Sequence, residues 1–115
     1  MENDKCMELI IHSGEAQSYA MEAINQAKNF NFNQAKELME KAEKEQIEAH
    51  KVQTSLIVEM ARKKEEGTDS SPIDLLLIHS LDHVASGLIS IDFAKKIIEN
   101  YELIKKLGEH VGLWE

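Results

Sequence analysis

Apolar side chains recur at helical spacing along three long stretches of the chain, and no stretch shows the alternation of a β-strand. The first stretch predicts a helix from about Asp4 to Lys28, in which Ala16, Ala20 and Ala27 allow close packing. Its larger apolar positions are Met7, Ile10, Ile11, Met21 and Ile24, with Gly14 among them.

A second helix is predicted to begin after a tight connection at residues 29–33, where the helical pattern breaks. Asn31 suits the N-cap, and Gln34 stands three residues on, as in a capping box. The apolar positions of this helix predict its inner face: Ala35, Leu38, Met39, Ala42, Ala49, Val52, Leu56 and Met60.

A polar loop separates the second helix from a third. Gly67 suits a helix C-terminus, and Ser71 followed by Pro72 suits the start of the next helix. The third helix is predicted to run to about Leu107, with Gly108 at its end. The chain thus forms one all-α domain over residues 1–108, an antiparallel three-helix bundle, followed by a tail at 109–115.

The third helix is apolar nearly all round from residue 73 to residue 93. A helix of this kind is buried on more than one side, and two partner helices in one chain leave part of it exposed. The pattern therefore predicts self-association.

Charge and cysteine content narrow the function classes. Twenty-one acidic and 13 basic residues give a formal net charge of −8, which argues against binding to nucleic acid or to an anionic membrane. Cys6 is the single cysteine, so neither an internal disulfide nor a cysteine zinc site is expected. The polar first residues do not resemble a signal peptide, and no apolar run approaches a membrane span. We therefore expect a cytoplasmic protein without membrane insertion.

His79, Asp82 and His83 stand at i, i+3 and i+4 within the most apolar part of the chain, so one helix would project them from one side. A neutral imidazole is a nucleophile near neutral pH, so His79 is either a phosphoryl acceptor or a buried histidine bonded to a neighbour. Asp82 either orients a histidine, pairs with a lysine, or joins other copies around a hard cation. A zinc site on this spacing needs a further ligand, for which His12 and His50 are available, and we rank it below phosphoryl transfer.

Three ordered motifs carry a family resemblance: Ile-Ile-His-Ser-Gly-Glu-Ala-Gln-Ser-Tyr-Ala-Met-Glu-Ala at 10–23, Glu-Ala-His-Lys-Val-Gln-Thr at 48–54, and Leu-Leu-Leu-Ile-His-Ser-Leu-Asp-His at 75–83. In this order they resemble the lactose/cellobiose enzyme IIA proteins of the bacterial phosphoenolpyruvate-dependent sugar phosphotransferase system. The resemblance extends from about Ile10 to Leu107.

The resemblance implies a role for each member of the cluster. His79 matches the phosphorylated histidine, His83 the second histidine, and Asp82 the aspartate that binds a metal ion on the axis of a homotrimer. The implied cofactor is one divalent metal, Mg²⁺, per trimer. The implied reaction is a relay in which phospho-HPr donates to His79, which then donates to a cysteine of the cognate enzyme IIB during sugar import.

Several positions depart from the family pattern. Ser80 and Leu81 replace Ala-Gln, residues 84–86 replace Leu-Met-Thr, and Gln17 stands where Arg is common. We expect the small residues Ser80, Ser86 and Gly87 to let the donor approach, with the hydroxyls meeting phosphoryl oxygens.

Two other functions fit a helical chain of this kind. One is a phosphotransfer domain of a two-component relay, but such domains resemble four-helix bundles with a lysine near the acceptor, and no lysine lies between Lys64 and Lys95. The other is a non-catalytic helical adaptor that binds through its apolar third helix and has no need of His79.

Overall fold

Three long helices account for nearly all of the structure, a computed structural model that describes residues 2–67 and 74–114, with Glu2 described by its backbone alone. Helix α1 spans Glu2–Lys28, α2 spans Phe32–Glu65 and α3 spans Leu75–His110. The two described ranges contain no strand. The helices form a rod of 69 × 18 × 16 Å. The predicted all-α three-helix class is confirmed.

Small residues and one leucine line the face of α1 that is buried in the bundle: Cys6, Leu9, Ser13, Ala16, Ala20, Ala23 and Ala27. Helix α1 packs along both other helices, whereas α2 and α3 touch each other at few positions. The alanines let both neighbours approach closely, and the bulkier Met7, Ile11 and Met21 are therefore left on the exposed side. The largest apolar residues of α1 do not mark its buried face.

The predicted inner face of α2 is confirmed, because all eight of its residues are buried or half-buried. An ion pair and a hydrogen bond join α2 to α1 in antiparallel order. Lys5 Nζ lies 2.6 Å from Glu59 Oε2, and His12 Nδ1 lies 2.6 Å from Glu45 Oε2. The hydrogen bond from Lys5 holds the pKa of the Glu59 carboxyl below its ordinary value.

The helix ends agree only partly with the sequence pattern. Asn31 is the N-cap of α2, but its side chain makes no cap bond and donates instead to Gln26 Oε1 at 3.0 Å, so the capping-box prediction is wrong. Gly67 follows the end of α2 with φ of +71°, as predicted. Asp74 caps α3 by accepting a hydrogen bond from the Leu76 backbone N–H at 3.0 Å. The predicted start at residues 71–72 lies outside the described residues.

The last residues fold back on the end of the rod. Helix α3 continues past Gly108 to His110, so Gly108 does not end the helix. Trp114 Nε1 donates a hydrogen bond to the Lys105 carbonyl at 3.2 Å, and its ring centroid lies 5.4 Å from that of Phe30. The ring also covers Gly108 so closely that a Cβ there would overlap it. The C-terminal segment is thereby attached to the turn between α1 and α2.

Helix α3 exposes many of its apolar side chains. Leu75 is 80% exposed and Phe93 is 64% exposed, and Ile78, Leu88 and Ile89 are also exposed. By length and composition, α3 is the one helix in the described part of the chain that could cross a membrane, which qualifies the expectation that no run approaches a span. This is weak evidence, because a core helix of a soluble protein has the same character.

Replacing Gly108 by alanine should displace the Trp114 ring, because the new methyl group would occupy the same space as the indole. Trp114 is the sole tryptophan, so its fluorescence reports the change directly. We expect emission of the Gly108→Ala protein to shift to longer wavelength as the indole enters water. Gly14→Ala is the matched control, since a Cβ at Gly14 meets no atom within 4 Å. Unchanged emission from Gly108→Ala would contradict the docked position of the ring.

Candidate active site

The second turn of α3 brings two imidazoles into contact. His79 is exposed and His83 is half-buried, and their Nε2 atoms lie 3.2 Å apart. The ring centroids are 4.6 Å apart and the ring planes meet at 89°. The i,i+4 spacing on a continuous helix is sufficient for this contact, because successive turns stack the two side chains on one face. The structure places both histidines on one side of α3, as their spacing predicts; the roles assigned to them stay predictions.

The Nε2–Nε2 distance allows a hydrogen bond between the rings, in which one ring would donate an Nε2–H to a lone pair on the other. A ring nitrogen that carries a lone pair is the nucleophilic atom of imidazole. The arrangement suits chemistry at a ring nitrogen.

Asp82 does not join this contact. On an α-helix it is turned about 60° from His79 and about 100° from His83. It is exposed, and within residues 2–67 and 74–114 it makes no hydrogen bond or ion pair. Asp82 therefore lies beside His79 on the exposed surface of α3 without bonding to either imidazole.

A zinc site built from one chain is not supported. His12, one of the two possible extra ligands, binds Glu45 on α2, and His50 is exposed on α2. The described residues include no group of three or more histidine, cysteine or acidic side chains close enough to hold a metal.

The prediction that Ser80 and Gly87 face an incoming donor is wrong, because both residues are buried. Ser80 is completely buried, and its Oγ donates to the Leu77 carbonyl at 2.8 Å. Gly87 is also buried. Neither residue faces an incoming donor, because both lie on the side of α3 that packs into the bundle. Ser86 is exposed and remains available.

Sequence reasoning missed a polar contact at the residue that follows His83. Gln46 Nε2 donates to the Val84 carbonyl at 3.0 Å and so joins α2 to α3. Gln46 lies in a densely charged stretch whose pattern is typical of a solvated helix face. Gly87 leaves the space that the Gln46 side chain occupies, but in the sequence it is one small residue among several. No local pattern could have paired residues that are 38 positions apart.

Comparison with known proteins identifies the family. Residues 4–102 match the family described as the lactose/cellobiose-specific IIA subunit of the PTS. The lichenan-specific phosphotransferase enzyme IIA component of Bacillus subtilis is 36% identical over 97 residues, which cover 84% of each chain.

Solved structures agree with the sequence match. The crystal structure of the PTS cellobiose-specific enzyme IIA from Bacillus anthracis has a TM-score of 0.81 and 33% identity, covering 92% of this chain and 93% of that one. A solution structure of the IIA(chitobiose)–HPr complex of the Escherichia coli N,N'-diacetylchitobiose branch has a TM-score of 0.74 and 30% identity, covering 91% and 97%. The chain therefore belongs to the lactose/cellobiose-specific IIA family of the sugar phosphotransferase system, whose members are phosphotransferase carriers.

Proposed function

We propose that His79 accepts a phosphoryl group from phospho-HPr and passes it to a cysteine of the cognate enzyme IIB during sugar import. The observation that carries this proposal is the exposed His79 imidazole in contact with His83. HPr is the partner in the structure of the related IIA(chitobiose) protein, which supports HPr as the donor. Both transfers take place in the cytoplasm in this scheme.

The first step exchanges one N–P bond for another. A lone pair of a His79 ring nitrogen attacks phosphorus as the bond to the donor histidine breaks, and that histidine keeps the electron pair. In the second step the sulfur of the IIB cysteine attacks the same phosphorus, and the ring nitrogen of His79 is the leaving group. The protein contributes mainly position and charge stabilisation, as is usual for phosphoryl transfer.

His83 has a supporting role in this scheme. Its Nε2 contact fixes the orientation of the His79 ring before the donor arrives. An Nε2–H on His83 can also donate a hydrogen bond to a phosphoryl oxygen once the group is on His79. A two-component phosphotransfer domain or a non-catalytic adaptor gains no comparable support, because the three-helix fold and the family match both favour a IIA protein.

His79→Ala should abolish labelling from phosphoenolpyruvate, enzyme I and HPr, because the acceptor nitrogen is lost. The wild-type label should survive alkali and be lost in acid, as phosphoramidates are. His83→Ala should still be labelled, at a rate lower by roughly tenfold, because ring orientation alone is lost. His50→Ala is the control, since His50 is an exposed histidine on another helix. Wild-type labelling of the His79→Ala protein would refute the assignment.

We further propose that three copies assemble through the exposed face of α3. Leu75, Ile78, Ile89 and Phe93 are exposed there, and the successive spacings of three, eleven and four residues place them along one side of the helix. Such a stripe of large apolar side chains is typical of an interface. Three parallel copies of α3 would cover it in a closed, symmetric assembly.

Ile89→Glu should dissociate the proposed trimer, because three carboxylates would be buried together in an apolar contact. Sedimentation equilibrium at micromolar concentration measures the mass directly. Val58→Glu is the matched control, because Val58 is an equally exposed apolar residue that lies on α2. A wild-type protein that is strictly monomeric would rule out the assembly.

We also propose that the Asp82 carboxylates of the three copies hold one divalent cation, Mg²⁺. Asp82 lies on the same side of α3 as Ile78 and Ile89, so symmetry about this face would bring the three carboxylates together. Oxygen ligands of this kind suit a hard cation, and the described residues of one chain hold no group of three or more acidic, histidine or cysteine side chains that could bind it. The cation would offset the repulsion between the three carboxylates.

Asp82→Leu should remove the bound metal while the trimer persists, because the substitution removes the repelling charges and adds apolar contact. His79 should still accept phosphate. Metal content, mass and labelling are measured on the one variant. Retention of metal would show that the cation has other ligands, and loss of labelling would place Asp82 among the groups that the reaction needs.

A further inference from the structure

Helices α2 and α3 share buried apolar clusters, and within the described residues two polar contacts also join them. A groove of about 580 Å³ runs between them, with Ile47, Leu88 and Ile91 among its lining residues. Lys95 Nζ lies 2.7 Å from Glu43 Oε1, and this contact raises the pKa of Lys95. The second contact is the hydrogen bond from Gln46 to the Val84 carbonyl.

Gln46 fits into a gap in α3 that only glycine provides. A Cβ on Gly87 would lie 2.6 Å from Gln46 Oε1 and 3.3 Å from the backbone oxygen of Ser13 on α1. We call this gap, bounded by Gly87, Gln46 and Ser13, the Gly87 notch. All three helices meet at this notch. The contacts there therefore fix the position of α3 along its axis, and its rotation about that axis, relative to α1 and α2.

We propose that Gln46 is a positioning residue for phosphoryl transfer: by filling the Gly87 notch and binding the Val84 carbonyl, it fixes the α3 turns that present His79 and His83. The kinetic part of this inference rests on the proposed transfer to His79. The geometric part does not, because it concerns the placement of the two imidazoles in the protein alone.

The orientation of the Gln46 carboxamide follows from its partner. The Val84 carbonyl can only accept, so the amide nitrogen must face it and Oε1 must face the notch. Oε1 and the Ser13 hydroxyl are both buried and have no hydrogen-bond partner within the described part of the chain. An apolar side chain would avoid leaving these atoms unpaired. The Gln46 carboxamide therefore contributes more to positioning α3 than to the free energy of unfolding.

The histidines depend on the α3 backbone for their position. Their recorded hydrogen bond is to each other, and within residues 2–67 and 74–114 neither bonds to α1 or α2. Val84 directly follows His83, and its carbonyl is the point at which α2 binds this part of α3. A shift of α3 at Val84 would therefore move both imidazoles relative to the rest of the surface that a donor must contact.

Two substitutions test the contact from opposite sides. Gln46→Met keeps the length of the side chain and removes the donor, and Gly87→Ala fills the notch and displaces the carboxamide. Each should lower the transfer rate at saturating phospho-HPr by roughly threefold to tenfold, well below the hundredfold that a misplacement of about 1 Å can cost. The concentration of phospho-HPr at half-maximal rate should change little. Gln34→Met and Gly14→Ala are the matched controls, at an exposed glutamine and at a glycine with open space.

A double variant separates positioning from stability. In the double variant Gln46→Ala/Gly87→Ala, the methyl group at position 87 occupies the notch that the carboxamide has left. The midpoint of thermal unfolding should therefore be closer to that of the wild type than in Gly87→Ala alone. The hydrogen bond to Val84 is still absent, so the transfer rate should stay low. If the rate recovers with stability, Gln46 is only a packing residue and the proposal is overturned.

Nitrogen-15 spectra of the two imidazoles decide the geometric part without any donor protein. Gln46→Met should shift the Nε2 resonances of His79 and His83, and Gln34→Met should leave them unchanged. Unshifted resonances in Gln46→Met would overturn the proposal even if transfer were slower. If wild-type His79 accepts no phosphate, the proposed function fails, and these resonances still show whether Gln46 positions the pair.

Discussion

Close packing along the small-residue face of α1 is the constraint on which the rest of the structure depends. Ala16, Ala20, Ala23 and Ala27 are fully buried, so both neighbouring helices lie near the α1 backbone. Dispersion contacts fall off steeply with distance, and short side chains let many backbone and side-chain atoms meet at once. Larger residues on this face would push α2 and α3 outward. The two buried clusters of the bundle draw on all three helices, and α1 contributes the small residues that let the other two come close.

This arrangement explains why α3 is so apolar and yet so exposed. Because α1 takes up one flank of α3, and α2 touches it at few positions, much of its circumference has no neighbour in the same chain. Leu75 and Phe93 remain on the outside for that reason. Where α2 and α3 do meet, apolar side chains of both helices share the buried clusters, and the hydrogen bond from Gln46 to the Val84 carbonyl adds a directional contact next to the histidines.

The candidate site consists of two contacting histidines on helix α3. His79 and His83 contact each other through helical spacing, so their pairing needs no tertiary structure. Their placement on the surface does need it, because rotation of α3 decides which of its faces is buried. Ser80 shows the consequence: it directly follows His79, yet it is fully buried while His79 is exposed. A phosphoryl donor can thus reach the imidazole and not the neighbouring hydroxyl.

Periodicity and ordered local motifs in the sequence predicted the three helices, the inner face of α2 and the family, and placed both histidines on one side of α3. The sequence analysis misjudged the cap at Asn31, where a bond to Gln26 replaces the local one, and the end of α3, where Trp114 packs over Gly108 and the helix continues to His110. Close packing at the alanines of α1 was expected, but the exposure of Met7, Ile11 and Met21 and the contact of Gln46 with Val84 became clear in the folded structure alone. These outcomes depend on distances between helices, which are set by packing among residues far apart in the chain, and no local pattern encodes them.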